Sequence, residues 1–134
     1  MFWNKQKNQI DVFEVGPRDG LQSENLTWTP EDRAELVASL IQVGLRHIEV
    51  GSFVRADKVP QLAHTDKVVD LLSNKISTQE RNAVKLWAFI PNQKGLELAL
   101  NSGIDGASFF CATTDTFCRK NVNRSQQELL NELA

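Results

Sequence analysis

Apolar and polar positions along this chain alternate between two periods, and the alternation predicts four strand–helix pairs. Short apolar runs typical of buried strands are followed by segments whose apolar residues recur at helical spacing. The predicted strands cover 10–15, 46–50, 86–90 and 107–111, and the predicted helices cover 30–43, 60–72, 94–101 and 125–134. Such an alternation predicts a parallel sheet with right-handed crossovers.

Local residues mark the ends of the first and last predicted helices. Thr29 is a favourable N-cap, Pro30 suits the first helical position, and Gly44 is a typical C-terminal stop. Ser125, with a glutamate three residues later, has the pattern of a capping box. The polar stretch 73–82 is interpreted as a surface connection.

Two α/β architectures fit this pattern: a small open doubly wound sheet, and half of a (β/α)₈ barrel. The first predicted strand is not followed by G-x-G-x-x-G, which argues against a dinucleotide-binding sheet. A whole barrel normally needs ~200 residues or more, whereas the chain has 134. The pattern by itself leaves both architectures open, with residues 1–134 forming a single domain or part of one.

Composition narrows the class of protein. The chain is 41% hydrophobic and 24% charged, as expected for a soluble globular domain. A net charge of −2 leaves no broad basic surface for nucleic acid, and the apolar runs are far shorter than the ~18 residues of a membrane span. The first residues have neither an apolar core nor an arginine-rich character, which predicts no signal or transit peptide and a cytoplasmic location.

The two cysteines, Cys111 and Cys118, are too few for a disulfide scaffold and lack metal-ligand spacing. Cys111 is interpreted as a packed thiol at the end of a buried strand, and Cys118 as a loop residue. The sequence assigns chemistry to neither of them.

Candidate chemistry is concentrated in the turn after the first predicted strand, in the run 14–22. Two glycines and a proline interrupt the strand there, and Arg18 stands beside Asp19. The carboxyl end of a strand is where α/β enzymes place catalytic groups. A purely structural turn needs the glycines and the proline but has no use for the charged pair.

The segment 15–24 resembles the first-strand motif of the 3-hydroxy-3-methylglutaryl-CoA lyase family. Further stretches similar to the family follow in its order at 44–61, 91–95 and 117–125, so the resemblance covers about 10–134. Related acyl-transferring synthases share the Arg-Asp-Gly turn, but there Thr-Leu usually replaces the preceding Gly-Pro. The resemblance implies a lyase of leucine catabolism that cleaves 3-hydroxy-3-methylglutaryl-CoA into acetyl-CoA and acetoacetate.

The resemblance also implies a (β/α)₈ barrel with Mg²⁺ or Mn²⁺ at its carboxyl-end mouth. The chain then corresponds to the amino-terminal half, (βα)₄, and the His-x-His ligands, the Asn ligand and the Gly-Gly-Cys-Pro loop of the family have no counterpart in it. Strands one and four would be open edges, which predicts a homo-oligomer or another partner at these edges. Two alternatives are another acyl-CoA lyase or synthase of the superfamily and an inactive half-barrel.

The resemblance gives roles to the charged pair. Asp19 would be a metal ligand, since a hard carboxylate oxygen suits Mg²⁺ or Mn²⁺; the alternative is an Asp that caps its own turn. Arg18 would stabilise the negative charge that develops on the thioester enolate. The alternative for Arg18 is a surface ion pair with Glu24 or Glu14.

Further site residues follow from the other matched segments. Glu49 would orient groups or handle protons, and a strand period of two places it on one face with His47, interpreted as a packing residue. The alternative for Glu49 is a buried carboxylate paired with an interior arginine. Gln22, Ser52 and Asn121 are the candidates for binding the acyl-CoA substrate, and for each the alternative is a purely structural position.

Overall fold

The computed structural model describes residues 10–132 and contains four strands and six α-helices in that range. The strands are β1 (Phe13–Glu14), β2 (His47–Ser52), β3 (Lys85–Phe89) and β4 (Gly106–Ser108). The helices are α1 (Pro30–Gln42), α2 (Thr65–Leu72), α3 (Thr78–Ala83), α4 (Gln93–Leu100), α5 (Asp115–Val122) and α6 (Gln126–Glu132). The segment 1–7, on which the targeting prediction depends, lies outside the described residues, as do residues 133–134 of the last predicted helix.

The strands form one sheet in the order β1-β2-β3-β4, and every neighbouring pair is parallel. A doubly wound sheet reverses its strand order at a switch point, whereas a barrel wall adds each strand beside the one before it. The observed order therefore confirms the (βα)₄ prediction and selects half of a (β/α)₈ barrel over the open sheet.

The hydrophobic core lies between the sheet and the helices α1 and α2. Ile48 and Val50 from β2 and Leu86 from β3 are fully buried there. Helix α1 contributes Val37 and Ile41 to the same cluster. We call this side of the sheet the outer face, because in a barrel the helices surround the strands.

A β-bulge in β2 decides which residues share the opposite, inner face. The register shifts between Glu49 and Gly51, so that Glu49 pairs with Trp87 and Ser52 pairs with Phe89. Partners in adjacent strands point to the same side of a sheet. The extra residue therefore brings Ser52 to the inner face with Glu49, whereas a strict period of two places them on opposite faces.

Several predicted boundaries are confirmed. Thr29 caps α1 by accepting a hydrogen bond from the Asp32 backbone N–H at 3.1 Å, and Gly44 follows the helix with φ +103°. At the last helix, Ser125 and Glu128 exchange the two hydrogen bonds of a capping box. Within residues 10–132 no helix is long and apolar enough to cross a membrane.

The predicted helix 60–72 is divided in two. A 3₁₀ turn covers Pro60–Leu62, and α2 begins only after His64, which adopts the left-handed conformation with φ 59°. The carbonyl of Ala63 accepts a hydrogen bond from Arg33 Nη1 at 2.7 Å instead of continuing a helical ladder. A tertiary contact thus overrides the local helical pattern.

Two segments interpreted as connections contain helices. The capping box of Ser77 and Glu80 begins α3 inside the predicted surface connection. The segment after strand four forms α5, in which Cys118 is buried. Cys111 lies beyond the end of β4 and is exposed, so the interpretations of Cys111 as a packed thiol and of Cys118 as a loop residue are wrong.

Candidate active site at the carboxyl end of the sheet

The Arg18–Asp19 pair lies in a single π-helical turn, Gly16–Gly20, directly after β1. The backbone N–H groups of Arg18 and Asp19 both donate to the carbonyl of Val15, at 3.0 and 2.7 Å. Glu14 accepts a hydrogen bond from the Gly16 N–H at 2.6 Å. A Cβ on Gly16 would lie 2.7 Å from the same carboxylate oxygen, so a larger residue at this position would displace the Glu14 side chain from its hydrogen bond.

Arg18, Asp19 and Glu49 form what we call the charged cluster. Arg18 Nε donates to Glu49 Oε2 at 2.6 Å, and Arg18 Nη1 donates to Asp19 Oδ1 at 2.8 Å. The Glu49 side chain is only 2% exposed, the Arg18 side chain 21% and the Asp19 side chain 66%. The guanidinium therefore connects a buried carboxylate in the sheet with an exposed one at the rim.

Two inner-face residues complete the surroundings of the cluster. Ser108, the last residue of β4, donates a hydrogen bond to Glu49 Oε1. The ring of Phe89 lies under the guanidinium, with its centroid 5.3 Å from Arg18 Cζ, within the range of a cation–π contact. Both carboxylate oxygens of Glu49 are thus occupied, and Arg18 is held from two sides.

Sequence reasoning missed Ser108 and Phe89 as neighbours of the candidate site. The predicted strands contained both residues, but their position beside Glu49 depends on the register across β2, β3 and β4. The polar hydroxyl of Ser108 at the end of an apolar strand was the available sequence signal. Phe89 gave no signal distinct from that of an ordinary core residue.

The alternatives weighed for the charged residues can now be compared with the geometry. The partners of Arg18 are Asp19 and Glu49, rather than the predicted surface partners Glu24 or Glu14. Glu49 is a buried carboxylate paired with an arginine, and that arginine is Arg18 itself. The structural and functional interpretations of Glu49 therefore concern the same contact.

His47 is a packing residue, as interpreted from the sequence. Its ring centroid lies 6.3 Å from those of Phe13 and Trp87, and the Phe13 and Trp87 centroids lie 5.3 Å apart. The three rings form an aromatic group on the sheet, and the side chain of His47 is half-buried.

The three predicted substrate-binding residues lie in different surroundings. Gln22 is exposed just after the turn, and Asn121 is exposed on α5, where its Nδ2 donates to the Phe117 carbonyl at 2.9 Å. Ser52 is buried on the inner face, and its Oγ has no hydrogen-bond partner in the described chain. Across residues 10–132, no hydrogen bond joins any of the three to the charged cluster.

Within the charged cluster, the carboxylate of Asp19 is suited to bind a divalent cation. Asp19 Oδ2 is left without a hydrogen bond by residues 10–132, and a carboxylate oxygen is a hard ligand of the kind that Mg²⁺ and Mn²⁺ prefer. However, the described part of the chain holds no group of three or more His, Cys, Asp or Glu side chains that could bind a metal ion. Asp19 fits a metal as a single ligand, and the described residues do not complete a site.

Comparison with known proteins places this geometry in context. A sequence model described as HMGL-like matches residues 9–134. Hydroxymethylglutaryl-CoA lyase of Pseudomonas mevalonii is 40% identical over 119 residues, which cover 89% of this chain and 38% of that protein. The (R)-citramalyl-CoA lyase of Chloroflexus aurantiacus is 34% identical over 93% of this chain and 41% of its own length.

Solved structures agree with the sequence relatives. The crystal structure of hydroxymethylglutaryl-CoA lyase from Pseudomonas aeruginosa matches with a TM-score of 0.82 at 38% identity, over 93% of this chain and 40% of that one. The Bacillus subtilis enzyme matches with a TM-score of 0.84 at 36% identity, over 95% and 41%. The chain thus spans about 40% of the length of the relatives that it matches.

Proposed function

The chain belongs to the HMGL-like family, and from this premise we propose that it forms the amino-terminal part of the active site of a carbon–carbon lyase. The proposed reaction cleaves 3-hydroxy-3-methylglutaryl-CoA into acetyl-CoA and acetoacetate with the help of Mg²⁺ or Mn²⁺. The observation that carries the proposal is the charged cluster, in which the buried Glu49 carboxylate holds the Arg18 guanidinium at the carboxyl end of the sheet.

Arg18 is the proposed catalytic cation. When a tertiary alcohol loses its proton and the neighbouring C–C bond breaks, negative charge develops on the thioester enolate oxygen. A fixed guanidinium aimed at that oxygen stabilises the charge more than mobile water does, and arginine does not lose its proton. Arg18 uses two donors within the cluster, which leaves its other N–H groups for the substrate.

Glu49 is proposed as a positioning residue. Its two oxygens accept hydrogen bonds from Arg18 and Ser108, so they are engaged in holding the guanidinium. Together with the Phe89 ring, these contacts fix the direction of Arg18 before the substrate arrives, which is the condition for electrostatic stabilisation at low reorganisation cost.

Asp19 is proposed as one metal ligand, with the remaining ligands supplied from outside the described residues. A divalent cation at this rim would polarise the substrate oxygens. Gln22, Ser52 and Asn121 are proposed to bind the acyl-CoA, with the unpaired Ser52 hydroxyl supporting this role on the inner face. We propose a cytoplasmic location for the protein.

Cleavage of a different acyl-CoA is the second candidate function. Relatives of similar identity are named as lyases for hydroxymethylglutaryl-CoA, for 3-hydroxy-3-isohexenylglutaryl-CoA and for (R)-citramalyl-CoA. The cluster in this chain acts on the part these substrates share, a hydroxyl group placed for C–C cleavage in an acyl-CoA. The acyl group itself must be assigned by measurement.

A chimera tests the proposal with a complete barrel. Residues 10–132 of this chain would replace the matching segment of the Bacillus subtilis relative, and acetyl-CoA release would be measured with Mg²⁺. We expect cleavage by the chimera, and a fall in kcat of about 10²-fold or more for Arg18→Gln, as for loss of one charge-stabilising donor. Arg46→Gln, at the opposite end of β2, is the matched control and should leave kcat unchanged.

The outcomes separate the candidates. A folded chimera that cleaves (R)-citramalyl-CoA but not 3-hydroxy-3-methylglutaryl-CoA would assign the second function. Condensation without cleavage would indicate a synthase. The lyase proposal fails if a folded chimera processes none of these substrates, or if Arg18→Gln behaves like Arg46→Gln.

A further inference from the structure

The only two cysteines of the chain lie beside the same peptide group. Cys111 Sγ lies 3.7 Å from the carbonyl oxygen of Ala112, and Cys118 Sγ lies 3.4 Å from that same oxygen. The backbone N–H of Ala112 also donates to Cys118 Sγ, at 3.3 Å. Both sulfur atoms are therefore in contact with a single residue, although seven positions separate them in the sequence.

The two thiols differ in exposure. Cys111 is exposed in the segment after β4, whereas Cys118 is fully buried in the first turns of α5. Local desolvation raises the pKa of the Cys111 thiol, and the neighbouring Cys118 thiol raises it further. The influence of Cys118 on the Cys111 pKa agrees with the geometry in placing the two side chains next to each other.

We propose that Cys111 and Cys118 form a reversible intramolecular disulfide, and that this pair is a modification site for low-molecular-weight disulfides. An exposed thiol next to a buried one is an arrangement that packing alone does not require. The bond would connect the segment after β4 to α5, the helix that carries Asn121. Oxidation would therefore restrain α5 relative to the end of the sheet.

The difference in exposure sets the order of the two steps. The Cys111 thiolate attacks one sulfur of a small disulfide such as oxidised glutathione, which releases one small thiol and leaves a mixed disulfide on Cys111. Cys118 then loses its proton and attacks the Cys111 sulfur, which forms the protein disulfide and releases the second small thiol. Two electrons pass from the cysteines to the small disulfide, and the two cysteine protons end on the released thiols.

The test equilibrates the full chain with mixtures of reduced and oxidised glutathione, traps the thiols with acid, and measures the mass of the protein. We expect both thiols to disappear together, with the mass of the chain lower by two hydrogen atoms. We expect the effective concentration of one thiol at the other to be about tenfold higher in the native chain than in guanidinium chloride. The denatured sample is the control for closure of a short loop without folded structure.

Two variants test the assigned roles. Cys118→Ser should stop at the mixed disulfide on Cys111, and Cys111→Ser should react with oxidised glutathione about tenfold more slowly because Cys118 is buried. The rate at which the native chain reacts with oxidised glutathione should continue to rise at pH values above the pKa of an ordinary thiol, since the Cys111 pKa is raised. Equal effective concentrations in native and denatured chains, or a mixed disulfide that accumulates on Cys111 in the unsubstituted chain, would overturn the proposal.

Discussion

Glu49 is a carboxylate with almost no contact with solvent, and its place in the sheet depends on two hydrogen-bond donors. An ionised group in this position is tolerated only when its charge is compensated and its oxygens are paired. Arg18 and Ser108 supply this compensation from β1's turn and from β4. The same contacts that make the charge tolerable also fix the guanidinium, so stability and the proposed chemistry depend on one pair of side chains.

Glu49→Gln is therefore expected to destabilise the chain by about 1–3 kcal/mol. Arg18 loses its charged partner, and the glutamine NH₂ group faces Arg18 or Ser108, each of which is itself a donor to Glu49. Urea unfolding measures the change. Asp19→Asn is the matched control: Asp19 pairs with the same guanidinium, but its side chain is 66% exposed, so its loss should cost less than about 1 kcal/mol. Equal costs for the two variants would show that burial of Glu49 does not determine the energy of the pair.

The charged residues of the candidate site could be predicted from the sequence, and their neighbours could not. Arg18 and Asp19 stand side by side in a turn, and Glu49 lies near the end of the predicted strand 46–50, so local pattern and resemblance are enough to identify all three. Phe89 and Ser108 reach the cluster only through sheet register. Which side chains come together across three strands depends on how the strands pair, and no local sequence pattern specifies that pairing.

At the scale of elements, the bulge in β2 shows why strand alternation alone misplaces Ser52. Gly51 at the bulge faces the outer side, where an added Cβ would come closer than 3.0 Å to Thr65 Oγ1 and Arg33 Nη2. Arg33, buried beneath Gly51, donates to the carbonyls of Ala63 and Val50 and to Thr65 Oγ1. The bulge, the break before α2 and the buried arginine are thus one connected arrangement.

Arg33→Ala is expected to destabilise the chain by about 3 kcal/mol or more, because it leaves a cavity and several buried acceptors without a donor. Burial already lowers the pKa of Arg33 to about 10, which shows how little solvent reaches this cation. Arg55→Ala is the control: Arg55 is exposed and pairs with the exposed Asp57, so its removal should change the free energy of unfolding by less than about 0.5 kcal/mol. A small effect of Arg33→Ala in urea unfolding would contradict this account of the bulge.

The starts of α1 and α6 are predicted by local capping residues, whereas α3 lies within the stretch interpreted as a surface connection. Thr29, Ser125 and Asn92 accept the backbone hydrogen bonds that start α1, α6 and α4. Ser77 carries the same capping-box pattern as Ser125 and was a readable signal for α3. By contrast, the break at His64 depends on a hydrogen bond from Arg33, thirty positions earlier than the carbonyl it reaches, and such a contact is invisible to a local pattern.

At the scale of the whole molecule, the two faces of the sheet differ in how far they are covered by other parts of the described chain. On the outer face, α1 and α2 pack against β2 and β3 and bury their side chains. The other side carries Phe13, Trp87 and Phe89, which are only partly covered in the described chain. In this range β1 and β4 each pair on one side only, and open edges beside an apolar surface favour association.

We therefore expect the chain to self-associate through these edges and the surface between them. Sedimentation velocity at several protein concentrations should show a species larger than a monomer whose share grows with concentration. Val12→Lys places a charge beside the β1 edge, at a residue that is 55% exposed, and should weaken association while circular dichroism stays unchanged. Lys67→Ala, on the exposed side of α2 far from both edges, should leave association as it was. A monodisperse monomer that unfolds cooperatively would contradict the prediction, because it would mean that the partly covered side of the sheet is stable in water without a partner.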